Sequence, residues 1–328
     1  MTTTSLENDL STGQRTLRID LAWCGTAFSG WQRQPGQRTV QGVVEEALAR
    51  LLGTPVSVVG CGRTDAGTHA WHHVSSVRVS SQRPADEVER ALEALLPADV
   101  SVRGVRDVEA VFHAQRDALW KWYRYRVLVS RRRQPLAGSR AWRRGHAPAR
   151  EALQAAVEPL RGRHDFASFA NVGSTPGPTV RTLHALEWHA GLAQGDEGLA
   201  RGEEGLARRD DLHGAPYLAL DVVGDGFLWK MVRTIVGTAW HAASLADPAA
   251  HMRDVLLAGD RRAAGPAAPA EGLTLMAVAM RGEAAPTLPP HLAASWHAPS
   301  TSDPLPEASP STPEGGVTGA SPVPRRSS

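Results

Sequence analysis

The segment Gly60-Cys61-Gly62-Arg63-Thr64-Asp65-Ala66-Gly67-Thr68-His69-Ala70 sets one carboxylate beside a guanidinium in a glycine-punctuated loop. A carboxylate held in place can act as a general base or as a nucleophile. The glycines at 60, 62 and 67 let the backbone approach a ligand closely, so a tight turn can present Arg63 and Asp65. The same spacing also fits a surface ion pair or an Asx-type turn. His69, His72 and His73 with Asp65 offer nitrogen and oxygen donors within nine residues, the kind of set a metal takes. On a strand, however, His69 and His73 share a face while His72 points away. With no second cluster to supply the missing ligands, no metal site is expected.

The elements that must position this loop are legible around it. Upstream, Pro55-Val56-Ser57-Val58-Val59 is a short β-branched run, and downstream Val74, Val77 and Val79 interleave with polar residues. The loop therefore joins two strands, or one strand and a near neighbour, and a carboxylate fixed at a strand end can be held in one geometry. Thr16 to Trp23 alternates as a first strand, and Val40, Val43, Val44, Ala47, Leu48 and Leu51 repeat at helical spacing before Gly53. Further helices are predicted at 84–96, over Leu153 to Leu160 and over Met231 to Ala239; further strands at Trp122–Val129, His184–Trp188, Tyr217–Val223 and Leu273–Met280. Helices and strands interspersed in two comparable halves predict an α+β fold with helices packed on a mixed sheet. No GxGxxG follows the first strand, which disfavours a doubly wound nucleotide fold.

The predicted organisation is a flexible N-terminus at 1–15, one half at 16–130 carrying the loop, and a second at 131–282. A Pro/Ser/Ala-rich disordered tail follows at 283–328, holding ten of the 23 prolines. Within the second half, Glu-Gly-Leu-Ala-Arg occurs at 197–201 and again at 204–208, predicting an expanded surface loop over 191–214. Lysine and arginine number 36 against 34 acidic residues, but Lys121 and Lys230 are the only lysines. Arginine forks suit phosphates and stacked bases, although an arginine-rich proteome would give the same bias. Cys24 and Cys61 make neither a disulfide framework nor a CxxC metal signature. Together with a polar start and no long apolar run, this predicts a reducing, cytoplasmic setting without membrane contact.

The loop resembles the catalytic loop of the TruA family of tRNA pseudouridine synthases, and the resemblance continues along the chain. Gly25-Thr26-Ala27-Phe28-Ser29-Gly30-Trp31-Gln32-Arg33-Gln34 is similar to that family's GT-x-F-x-GWQ-x-Q segment. Phe112-His113-Ala114, Tyr123-Arg124-Tyr125, Asp165 to Phe169, Phe227 to Gly237 and Glu271 to Leu275 follow in family order. The chain departs from the pattern at Trp23-Cys24, Thr68, His73, Ser76 and Gln115.

The resemblance implies two similar α+β halves on a shared mixed, mainly antiparallel sheet, with the active-site cleft between them. It also implies an isomerase that converts uridine to pseudouridine in the anticodon stem-loop of tRNA, at positions 38, 39 and 40, working as a homodimer. Breaking C1′–N1, turning the uracil and joining C1′ to C5 adds and removes nothing overall, so neither cofactor nor metal is implied. By the same resemblance Asp65 is the nucleophile or base. Arg233 is its ion-pair partner, expected to keep the carboxylate ionised. Arg63 contacts a phosphate or fills the space left by the extruded base. Tyr123 lies against the uracil, Leu273 packs near it, and Lys230 sits one turn from Arg233. Arg131, Arg132, Arg133, Arg140, Arg143 and Arg144 are candidates for the phosphate path.

Overall fold

The computed structural model describes residues 13–135, 138–171, 173, 177–191 and 217–296. The expected surface loop from 192 onward and the tail beyond 296 lie outside them. In chain order the strands are β1 (Arg15–Trp23), β2 (Val58–Gly60), β3 (His69–Val79), β4 (Val100–Val108), β5 (Ala118–Val129), β6 (Trp142–Arg144), β7 (Gly162–Asp165), β8 (Val180–Gly191), β9 (Tyr217–Gly224) and β10 (Leu273–Met280). The helices are α1 (Val40–Leu52), α2 (Ala85–Leu95), α3 (Arg150–Val157), α4 (Met231–Ala242), α5 (Pro248–Ala258) and the short α6 (Pro290–Ala293). No helix among the described residues is long and apolar enough to cross a membrane.

All ten strands form one sheet in the order β4-β1-β3-β10-β5-β9-β8-β7, with β2 added beside β3 and β6 beside β5. Pairing along that main path is antiparallel except where β10 runs parallel to β3, with Thr274 opposite His69 and Leu275 opposite Ala70. That parallel seam joins the two halves. β10 reaches it from the far end of the chain, and it brings the starts of β3 and β10 to the same edge of the seam. β5, which the sequence groups with the first half, pairs instead with β10 and β9 in the second.

Helices α1 to α5 cover one face. Val40, Val44 and Leu48 of α1 and Val88 and Leu92 of α2 join Leu17, Ile19 and Leu21 of β1 in the main apolar cluster. Leu153 and Val157 of α3, Ile235 and Val236 of α4 and Met252 and Val255 of α5 extend it over β8 and β9. The period-3.6 stripes of the helices thus meet the period-2 faces of the strands. Alternation along β5 sends Tyr123 and Tyr125 into this cluster, whereas Trp120, Trp122 and Arg124 face the rear. On the rear, Trp120, Trp122, Ala185, Val223 and Met276 are covered by Leu292 and Trp296. Those two residues belong to the stretch assigned from sequence to the tail. Its first part, 283–296, is in fact folded: Glu283 pairs with Arg18 and Arg106, and α6 sets Leu292 on the sheet.

Candidate active site

Asp65 sits in the loop between β2 and β3. Its own carbonyl accepts the Thr68 N–H at 3.1 Å, closing a turn whose third residue, Gly67, has φ of +80°. A left-handed value at that position is what a type II turn requires and what glycine allows. The loop is then tied to the Gly25–Gln34 segment. Trp31 N–H donates to the Thr64 carbonyl at 3.1 Å, Gly67 N–H to the Phe28 carbonyl at 3.1 Å, and the Trp23 indole N–H to the Thr68 carbonyl at 3.0 Å. Phe28 and Trp31 are buried and support the loop from below.

Arg233 arrives from the other half, on the first turn of α4. Its Nη1 donates to Asp65 Oδ2 at 2.8 Å, with both side chains mostly buried. The guanidinium is fixed from behind as well: Nε donates to the Ala268 carbonyl at 2.7 Å, while the Ala268 N–H donates to the Arg233 carbonyl at 2.9 Å. The 266–268 segment lies so close on α4 that a Cβ on Gly237 would meet the Pro266 carbonyl oxygen at 1.9 Å. Asp65 Oδ1, by contrast, accepts no hydrogen bond from any described residue. The site therefore offers one oxygen held by a cation and one left for a reacting group.

The other predicted residues divide by location. Tyr123, on β5, is 7% exposed and stands edge-on to Phe227 with ring centroids 4.9 Å apart. Burial, with Cys61 and Asp65 nearby, pushes its hydroxyl above the usual tyrosine range, so it stays neutral. Leu273 begins β10 at the seam and is buried. Arg63 is exposed and pairs with no described residue. Lys230, expected one turn from Arg233 on the same helix, instead precedes α4: it caps the helix in a left-handed conformation, φ 59°, with Nζ 4.7 Å from the Trp229 ring centre. It is the only non-glycine residue with positive φ among the described residues, a strained conformation of the kind that collects at functional sites.

The histidines near the loop do separate work. His69 donates from Nε2 to the Glu271 carbonyl at 3.2 Å and accepts the Gly25 N–H at Nδ1, 3.0 Å. His72 lies 3.3 Å from Asp20. His73 donates from Nε2 to the Gly62 carbonyl at 3.1 Å, and its ring packs against those of Trp31 (4.1 Å) and Trp23 (5.0 Å). Complete burial depresses its pKa to about 3, so it is a neutral post under the loop. Trp23 thus touches two other departures from the family pattern, the Thr68 carbonyl through its indole N–H and His73 through its ring. A fourth, Ser76, accepts the Ala114 N–H at 3.2 Å.

The three donors that do converge, His189, Asp221 and His291, lie on the rear of the sheet. Both Nε2 atoms face Asp221 Oδ2, at 3.0 and 2.7 Å, and Arg124 and Trp122 occupy the rest of the carboxylate. Those lone pairs are already used by hydrogen bonds, so the cluster is structural.

Sequence reasoning missed two features of the site. The Ala268 carbonyl has no side-chain signal. Lys121 had one: it alternates with Tyr123 along β5, so both must share a face.

Two stretches of the chain, residues 22–116 and 156–279, match the family model described as tRNA pseudouridine synthase. Over 263 residues the chain is 36% identical to tRNA pseudouridine synthase A of Syntrophotalea carbinolica, covering 80% of this chain and 95% of that protein. It is 37% identical over 263 residues to the enzyme of that name from Geobacillus kaustophilus, covering 80% and 93%. For the Chlamydia pneumoniae protein the figure is 35% over 260 residues, covering 78% and 88%. A mixed sheet with a carboxylate and an arginine meeting across its seam, together with these matches, defines the class: the chain belongs to the tRNA pseudouridine synthase family. It is accordingly an isomerase.

Proposed function

We propose that this protein isomerises uridine to pseudouridine in the anticodon stem-loop of tRNA, at positions 38, 39 and 40. The observation that carries the reading is the Asp65–Arg233 contact of 2.8 Å, with the second carboxylate oxygen left unpaired. The salt bridge fixes the orientation of the carboxylate. Oδ1 is then available to attack the sugar or the base, or to take a proton from the sugar.

Around that oxygen the remaining roles are assigned to residues on rigid elements. The Tyr123 ring, braced by Phe227, lies against the uracil and excludes water. Leu273 closes the apolar side. Arg63, free of partners within the described residues, contacts a phosphate or takes the place of the extruded base. Lys230, held over Trp229 at the mouth of the cleft, binds the backbone of the nucleic acid. The exposed arginines 131–133 extend the phosphate path, two copies of the chain hold one tRNA, and the reaction takes place in the cytoplasm without cofactor or metal.

The test is direct. Unmodified tRNA transcripts are incubated with the protein and pseudouridine is mapped nucleotide by nucleotide. Modification confined to the anticodon stem-loop is the expected result; modification elsewhere, or none on any transcript, overturns the assignment.

A further inference from the structure

Lys121 is a half-buried cation that the site described so far does not use. It lies on β5 two residues before Tyr123 and on the same face, opposite Gly224 of β9 and Val278 of β10. Its chain passes directly beneath the catalytic loop: a Cβ on Gly62 would lie 3.2 Å from Lys121 Cε and 3.9 Å from Nζ. A side chain on residue 62 would push the lysine aside, so the glycine keeps the passage open. No described residue accepts a hydrogen bond from Nζ. Burial lowers the pKa of its ammonium, offset in part by Cys61 and Asp225, with Arg181 acting in the same direction as burial. Withdrawing an ammonium from water without an acceptor is costly, and proteins normally pair such a group. An unpaired one under the loop that carries Asp65, on the same strand face as Tyr123, is placed for a ligand that brings its own negative charge.

We propose that Lys121 binds a carbonyl oxygen of the target uracil and stabilises the negative charge that the ring acquires during the isomerisation. This rests on the pseudouridine synthase reading above. The charge arises by any route open to Asp65. If C1′–N1 breaks, its electron pair goes to the ring and is shared among N1, O2 and O4. If the carboxylate adds to C6, the C5–C6 electron pair moves onto C5 and O4 as an enolate. In both cases C1′–N1 breaks, any bond formed to Asp65 is broken again with the carboxylate regenerated, C5 bonds to C1′, the C5 proton leaves and N1 gains one, so no outside oxidant or reductant is needed. A fixed ammonium aimed at the oxygen where charge develops acts more strongly on that state than on neutral uridine.

The test compares wild type with Lys121→Met, which keeps the length and loses the charge, and Lys121→Arg, which keeps a charge. Single-turnover release of tritium from uracil C5 of tRNA is measured with enzyme in excess, beside tRNA affinity and thermal midpoint. Lys121→Met should slow release about 100-fold while tRNA affinity stays within about 3-fold, and Lys121→Arg should recover at least about a tenth of the wild-type rate. A second substrate separates charge stabilisation from packing. In tRNA carrying 5-fluorouridine the fluorine withdraws electrons and the ring holds negative charge more easily. The Lys121→Met loss, read as consumption of 5-fluorouridine in nuclease digests, should shrink there to about 10-fold or less. A Lys121→Met rate within about 3-fold of wild type, or an equal loss on both substrates with a lowered thermal midpoint, overturns the proposal. Wild-type protein that releases no tritium from any tRNA overturns the parent reading instead, and this one with it.

Discussion

Two Asp–Arg pairs sit on opposite faces of the same sheet, and they differ in what is left over. On the rear, Asp221 is fully buried and takes Arg124 in two-point contact, together with Trp122, His189 and His291. Every acceptor position is filled. Burial raises its pKa, but Arg124 and the two histidines overcome that and hold the carboxyl well below its usual range. At the seam, Asp65 takes a single donor from Arg233 and keeps Oδ1 free. A saturated carboxylate can only hold strands together; one with a spare oxygen and a fixed cation can react. The residue types are identical, so it is the count of committed lone pairs that separates structure from chemistry.

Breaking the rear pair should have the largest effect on folding. Asp221→Asn leaves the Arg124 charge buried with a neutral partner and is expected to cost ~3–5 kcal/mol, measured by denaturant unfolding. The chemistry per folded molecule should stay near wild type. Because the folded pKa of Asp221 is depressed, its contribution is full above about pH 4, the unfolded carboxylate value, and is lost only as pH falls below that.

Arg233→Ala should do the reverse. Turnover should fall by about 10²–10³-fold, with a smaller change in the unfolding midpoint, because the lost donor acts on the reacting carboxylate. An Arg233→Ala protein that loses stability but keeps its rate would erase the distinction between the two faces.

His73 sharpens the comparison through pH. Its folded pKa of about 3 lies below the unfolded value near 6.5, so the folded state binds fewer protons, and stability falls as pH drops through that window, by up to ~1.4 kcal/mol per unit. His73→Asn should flatten the dependence between pH 6.5 and 4, where Asp221 contributes little. The smallest effect is expected at the surface. Arg132→Ala with Arg133→Ala should weaken tRNA binding modestly and flatten its salt dependence; an unchanged slope removes these residues from the phosphate path.

The elements with strong periodicity were legible: Leu273–Met280 and the Val40 helix fall where the apolar pattern puts them. β4 escaped notice because Gly104 and its charged residues interrupt the alternation in Val100–Val108. α5 carried a start signal, Asp247 accepting the Ala250 N–H with Pro248 in the first turn, but its apolar stripe is weak. The short α6 depends on contacts with the rear of the sheet that no local pattern announces, and so its prolines pointed to a tail. Asp65 was visible in its loop, but its meeting with Arg233, 168 residues away, is a product of the β3–β10 seam. Resemblance supplied that pairing; propensity could not, because parallel contacts between distant strands leave no local trace.

The central claim is that Asp65 alone carries the covalent or proton-transfer step. The most direct measurement is tritium release from uracil C5 of unmodified tRNA by wild type and Asp65→Asn, beside tRNA binding and the unfolding midpoint of each. Release should fall by at least about 10⁴-fold, with binding within about 3-fold and the midpoint essentially unchanged. An Asp65→Asn protein that releases tritium within about tenfold of wild type would contradict the account.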